Sequence, residues 1–121
     1  MASIVDHIRE YGDFHREAEL RALLAETPVF ELAESWDELD DTEATRLFRL
    51  LGLEAKAQLL SELEPRDQEH IIRGLQLENM RRLLQEMDPD DLVDLMQQTS
   101  PSVRQAVWDG LDDETKQSTL F

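Results

Sequence analysis

The chain has 121 residues, of which 40% are apolar, a length and composition that suit one domain with a modest hydrophobic core. It carries 28 acidic and 12 basic residues, a formal net charge of -16, and no cysteine. This balance disfavours binding to nucleic-acid phosphates and to anionic lipid surfaces, and the lack of thiols excludes disulfides and thiolate zinc sites. The same charge is compatible with divalent cations or with a basic partner.

The sequence contains no apolar run that approaches the roughly 20 residues of a membrane-spanning helix. Its first residues also lack the basic and apolar regions of a signal peptide. We therefore expect a cytoplasmic protein, although these features also fit the soluble part of a larger membrane protein.

Leucine or methionine recurs every twelve residues through most of the chain. Thr99 interrupts a series whose members are Leu39, Leu51, Leu63, Leu75, Met87 and Leu111. An apolar pair follows eight and nine residues after each of the first six positions of the series, Thr99 included, as in Leu59/Leu60 and Ile71/Ile72. This spacing predicts helix rather than strand, and the short period is typical of small helices stacked in a solenoid.

We predict an all-α fold of about nine to ten short helices, in one domain over 1–121 with an N-terminal extension over 1–14 and the repeat over 15–121. In chain order, the first helix covers roughly 3–10 with a break near Gly12, and the second runs roughly over 13–25. The later helices are predicted to begin near 28, 41, 53, 65, 77, 89, 101 and 112. Polar residues before Pro65, Pro89 and Pro101 are typical of helix starts.

The helix predicted from position 89 carries the most informative group of acidic residues. Asp88 stands at the cap position before a proline, and Asp91 lies in the first turn, so capping and the helix dipole explain both. Asp90 and Asp94 are four residues apart on one face, where like charges cost a few tenths of a kcal/mol. A divalent cation would offset that repulsion, and Mg²⁺ uses one or two carboxylates while it keeps most of its waters. A solvated acidic face is the alternative interpretation.

A second acidic stretch consists of Glu31, Glu34, Glu38, Asp37, Asp40 and Asp41. Two of its pairs, Glu34/Glu38 and Asp37/Asp41, also have a spacing of four residues if the helix continues through them. We interpret this stretch as a solvated face with a capped break, and a weak cation site is the alternative.

Other motifs give little indication of catalysis. The histidines, at His7, His15 and His70, have no metal-ligand spacing, and no dinucleotide, phosphate-loop or nucleophile-elbow motif is present. We therefore do not expect an enzyme. Trp36 and Trp108 fall in or near the repeated apolar positions and are predicted to pack in the core.

Three segments, at 50–57, 59–65 and 87–95, resemble the N-terminal cytosolic domain of MgtE magnesium transporters. The Met-Asp-Pro-Asp-Asp-x-x-Asp-Leu run over 87–95 is the most specific of them, and the resemblance extends over roughly 15–120. It implies a right-handed superhelix of short helices that precedes a pair of CBS domains and a transmembrane channel, in a parent protein that is a homodimer.

The resemblance also implies a regulatory function. In the family, Mg²⁺ bound between the N domain and the CBS pair screens acidic surfaces and closes the pore, so the domain is part of an intracellular magnesium sensor. By position, Asp90 and Asp94 match family acids that contribute to this binding, and Asp91 beside them is the third candidate metal ligand. Another family acid position holds Gln58 in this chain, with Glu62 one turn later.

The alternative function is a protein-interaction scaffold, an acidic helical repeat with no cation role. The middle domain of flagellar motor switch proteins has a related architecture of short helices. The Glu-His-Pro-Gln signature of that group is absent from this sequence.

Overall fold

The computed structural model describes residues 4–13 and 17–119, without the side chains at positions 7, 8, 11–13 and 118. Within these ranges the chain forms ten α-helices, one short 3-10 helix and no strand, which confirms the predicted all-α class. The 3-10 helix, Trp36–Glu38, follows the third of the α-helices. The α-helices are α1 (Ile4–Asp13), α2 (Glu17–Glu26), α3 (Val29–Ser35), α4 (Asp41–Leu50), α5 (Leu53–Glu62), α6 (Pro65–Gly74), α7 (Leu77–Glu86), α8 (Pro89–Gln98), α9 (Pro101–Gly110) and α10 (Asp113–Ser118).

The predicted helix starts at 41, 53, 65, 77, 89 and 101 coincide with those of α4 to α9, and α3 and α10 begin one residue late. α1 continues through Gly12 and ends at Asp13, three residues after its predicted end, and the next helix begins at Glu17. A glycine inside a helix costs only about 1 kcal/mol, and burial of Ile4 and Val5 against the core favours keeping the helix. No helix in the described part of the chain is long and apolar enough to cross a bilayer.

The helices are held together by burial of the repeated apolar pairs. α5 packs against both α3 and α7, and α7 also packs against α9. At the centre of this stack Leu59 and Leu60 are fully buried, and Leu83 and Leu84 are 1% exposed. Helices of ten residues are marginal alone in water, so this packing supplies most of their stability.

The two tryptophans differ in their burial. Trp36 is buried in the core, as predicted. Trp108 is half-buried and packs against the core from its edge. The ammonium nitrogen of Lys116 lies 5.7 Å from the centroid of the Trp108 ring and partly covers it.

Polar side chains in the fourth position of a helix reach back to the end of the preceding helix. The Gln68 amide nitrogen donates to the Leu60 carbonyl oxygen at 2.9 Å, and Arg104 Nε donates to the Met96 carbonyl oxygen at 2.7 Å. These carbonyls belong to last helical turns, where no backbone N–H is available to them within the helix. The contacts therefore satisfy helix ends at the joints between neighbouring helices.

We predict that Leu60→Ala lowers the free energy of unfolding by about 2–5 kcal/mol, because it opens a cavity in the fully buried centre of the stack. Leu77→Ala is the matched control, since Leu77 is 51% exposed and its truncation should cost less than about 1 kcal/mol. Urea unfolding followed by circular dichroism measures both. Equal losses in the two variants would contradict this description of the core.

Candidate cation-binding surface at the start of α8

Four carboxylates gather at the start of α8, and we call this group the α8 acidic surface: Asp88, Asp90, Asp91 and Asp94. Asp88 precedes the helix, Asp90 and Asp91 lie in its first turn, and Asp94 follows four residues after Asp90. Asp91 is half-buried and the other three are exposed. The structure thus brings the three predicted ligands, Asp90, Asp91 and Asp94, onto one short piece of helix.

In the part of the chain that the structure describes, the α8 acidic surface has no basic partner. Among the described residues, none of its four carboxylates forms an ion pair or a side-chain hydrogen bond. Burial and the negative charges of Asp88, Asp94 and Asp90, in that order, raise the pKa of Asp91 above its usual value. The part of this shift that comes from neighbouring negative charges is a repulsion that a bound cation would relieve.

The N-cap position predicted for Asp88 is confirmed, but the capping hydrogen bond is not formed. Asp88 occupies the cap position, but its side chain accepts no hydrogen bond from the helix, whereas Asp40 accepts one from the Glu43 backbone N–H at 2.8 Å. The backbone angle ψ also differs between the two residues. Asp88 has ψ 149°, while Asp40, which precedes an aspartate, has ψ 172°. The Asp88 carboxylate is therefore available for another contact.

The second acidic stretch is divided by the helix break predicted within it. α3 ends at Ser35 and α4 begins at Asp41, so Asp37 and Asp41 do not lie on one continuous helix. Asp40 and Glu43 form a reciprocal capping box at the start of α4. Glu43 also pairs with Arg9 at 2.8 Å, and the hydrogen bond from Arg9 is the main reason that the pKa of Glu43 is lowered. These acids are thus partly engaged in structural contacts, unlike the α8 acidic surface.

The described part of the chain does not contain a complete metal site. It has no group of three or more histidine, cysteine, aspartate or glutamate side chains arranged to hold a metal ion. Gln58 and Glu62 are exposed on α5, a helix that contacts α8. The side chain of His7 and all of His15 lie outside the described residues, and His70 Nε2 lies 3.9 Å from Asp41 Oδ1.

A groove between α4, α6 and the start of α7 was not predicted from the sequence. Its floor includes Phe48 and Ile71, and Arg49, Lys56 and Arg73 also line it. The signal in the sequence is a concentration of basic residues in the middle of an acidic chain. Of its 12 basic residues, seven lie in this part, namely Arg46, Arg49, Lys56, Arg66, Arg73, Arg81 and Arg82.

The sequence of the chain matches the model of a known protein family. The family model of the MgtE intracellular N domain matches residues 27–120. The chain belongs to the MgtE intracellular N domain family. The family description agrees with the predicted cytosolic location, and the match confirms the resemblance noted in the sequence.

Two solved structures are similar to this N domain. The crystal structure of the cytosolic domain of the Mg²⁺ channel MgtE in complex with ATP is 29% identical, with a TM-score of 0.82 over 91% of this chain and 46% of that chain. The crystal structure of the soluble part of a magnesium transporter is 18% identical, with a TM-score of 0.77 over 93% of this chain and 44% of that chain, and supports the fold alone. This N domain thus spans less than half the length of either chain. Comparison with curated protein sequences gives no significant match.

The difference between the two caps gives a test. We predict that Asp40→Ala lowers the free energy of unfolding by about 0.5–2 kcal/mol, because it removes a capping hydrogen bond. Asp88→Ala should change it by less than about 0.5 kcal/mol, because Asp88 makes no such bond. Denaturant unfolding at pH 7 measures both. If Asp88→Ala lowers the free energy of unfolding as much as Asp40→Ala does, the Asp88 side chain caps α8 after all.

Proposed function

We propose that this N domain is the intracellular Mg²⁺-sensing domain of a magnesium transporter, and that it docks on a pair of CBS domains through bridging Mg²⁺ to control gating. The observation that carries the proposal is the α8 acidic surface, four carboxylates with no basic partner among the described residues. Membership of the MgtE intracellular N domain family supports it. So does the likeness to the cytosolic domain of a Mg²⁺ channel.

The donors on α8 fit Mg²⁺ in type. Mg²⁺ prefers oxygen ligands and is commonly bound through one or two carboxylates with several retained waters. Asp90 and Asp94 would hold the ion directly or through water, with Asp91 beside them. Because the described residues contain no group of three ligands, we infer that the partner and water supply the rest. Gln58 brings no charge to the corresponding family position on α5, so we place the site on α8.

The proposed switch is electrostatic. Without the ion, the α8 acidic surface repels an acidic surface on the partner, by about 1 kcal/mol for two unit charges 4 Å apart in water and about 4 kcal/mol at a protein surface. When bound, Mg²⁺ supplies positive charge between the two surfaces. The net charge of -16 adds repulsion at longer range in low salt. Docking would then depend on the difference in Mg²⁺ affinity between the docked and undocked states.

We further propose that the helices form a right-handed superhelix and that the parent protein is a homodimer. The succession of contacts from α3 to α5, α7 and α9 supports a stack in which each helix contacts its near neighbours. In such a stack the core is shared along the whole length, and the domain can present α8 to its partner as a rigid part.

We predict that the double variant Asp90→Asn/Asp94→Asn loses most of the Mg²⁺ dependence of docking. Its affinity for the CBS pair in Mg²⁺ should fall by about tenfold or more, and its affinity without Mg²⁺ should rise, because two repelling charges are gone. Calorimetric titration of the CBS pair into the domain, in MgCl₂ and in NaCl of equal ionic strength, measures both effects.

The matched control is Glu34→Gln/Glu38→Gln, which removes two exposed acids with the same spacing from the second acidic stretch. It should dock like the unmodified chain. If the α8 double variant keeps its Mg²⁺ dependence, the α8 acidic surface is not the sensor. If docking of the unmodified chain is equal in the two salts, the scaffold function without a cation role is favoured.

A further inference from the structure

The groove between α4, α6 and the start of α7 has the size and lining of a small-molecule site. Its volume is about 720 Å³, within the range of roughly 300–1,000 Å³ that is usual for ligand pockets. Phe48 and Ile71 form an apolar floor and are themselves 5% and 7% exposed. A ligand in this groove would cover apolar surface that belongs to the core.

Cations without acidic partners stand around this floor. Lys56 Nζ lies 5.8 Å from the centroid of the Phe48 ring, so its ammonium group is held over the floor. Neither Lys56 nor Arg49 forms an ion pair with any carboxylate in the described part of the chain. Burial, and then repulsion from Arg21, lower the pKa of Lys56. In a chain with 28 acids and 12 bases, two cations without partners at one groove indicate a site for an anion.

Other groups at the groove can accept or orient an anion. Arg73 lines the same groove and bonds weakly to Glu69 at 3.4 Å, so part of its guanidinium is engaged. Gln76 and Asn79 add side-chain amides at the start of α7. Gln76 makes no capping hydrogen bond, so the first backbone N–H groups of α7 have no side-chain acceptor from it.

We propose that this groove binds a small organic phosphate, with its phosphate at Arg49 and Lys56 and its apolar or flat body over Phe48 and Ile71. Arginine presents a planar fork that matches phosphate oxygens, and lysine adds a compact point charge. The described residues contain no strand, so the groove has no sheet edge to bind an extended acidic peptide through its main chain. The groove contains no residue of the α8 acidic surface, so this proposal does not depend on Mg²⁺ sensing.

The test uses the whole chain and phenyl phosphate, inorganic phosphate and phenol as probes, followed by NMR shifts of backbone amides. We expect saturable shifts around Phe48, Lys56 and Ile71 with phenyl phosphate, and binding at least about tenfold weaker for phosphate alone or phenol alone. Arg49→Gln and Lys56→Gln should each weaken phenyl phosphate by about tenfold, the usual effect of losing a charge-assisted hydrogen bond. Arg49 is exposed, so its variant is expected to fold even if the change at half-buried Lys56 perturbs the chain.

Arg81→Gln is the matched control. It removes the same charge from α7, but Arg81 lies two residues after Asn79 and thus about 200° around the helix from that groove residue. Binding that is lost equally in Arg81→Gln, or that is equally tight for inorganic phosphate, would overturn the proposal in favour of unspecific anion attraction. No shifts with phenyl phosphate at about 10 mM would also overturn it. So would tighter binding to a poly-glutamate peptide or to phosphatidylglycerol vesicles, which would assign the groove to a protein or a membrane.

Discussion

A helix of ten residues gains too few backbone hydrogen bonds in water to offset the cost of its nucleation. α4 to α9 all have this length, so each depends on the apolar side chains that it buries against its neighbours. The pairs Leu59/Leu60 and Leu83/Leu84 show how complete this burial is. Because stability resides in these inward positions, the outward positions are free to carry charge. The net charge of -16 is therefore compatible with an ordered fold.

The chain uses its acidic residues in two different ways. Asp40 and Glu43 hold the start of α4, and Glu43 is fixed further by Arg9. Among the described residues, the carboxylates of the α8 acidic surface have no such contacts, and Asp88 makes no capping hydrogen bond. Unpaired carboxylates that repel one another store a modest electrostatic cost, which an external cation can remove. We regard this contrast as the structural basis of the proposed sensor.

The sequence predicted most of the helix positions because their signals are local. Prolines at 65, 89 and 101 and the apolar period of twelve residues act over a few residues and need no tertiary information. The end of α1 was predicted three residues too early because a glycine inside a helix costs only about 1 kcal/mol and does not by itself end the helix. For Asp88, residue type predicted the N-cap position but not that its side chain makes no capping hydrogen bond.

The candidate sites could likewise be predicted only where local spacing along the chain determines them. The proximity of Asp90 and Asp94 follows from helical spacing and could be predicted. The groove could not be predicted, because it joins side chains from Ala44 to Asn79 that meet only after four helices, α4 to α7, have packed. If the proposed magnesium site is shared with a partner, neither the sequence nor the structure of this chain alone contains all of its ligands.

A Mg²⁺ titration of this chain at constant ionic strength, followed by NMR shifts of its backbone amides, would show directly whether α8 binds the cation. We expect saturable shifts centred on Asp90, Asp91 and Asp94. A sodium control of equal ionic strength should not reproduce them. Diffuse shifts spread over all acidic residues, and identical in the two salts, would contradict the claim that α8 binds the cation.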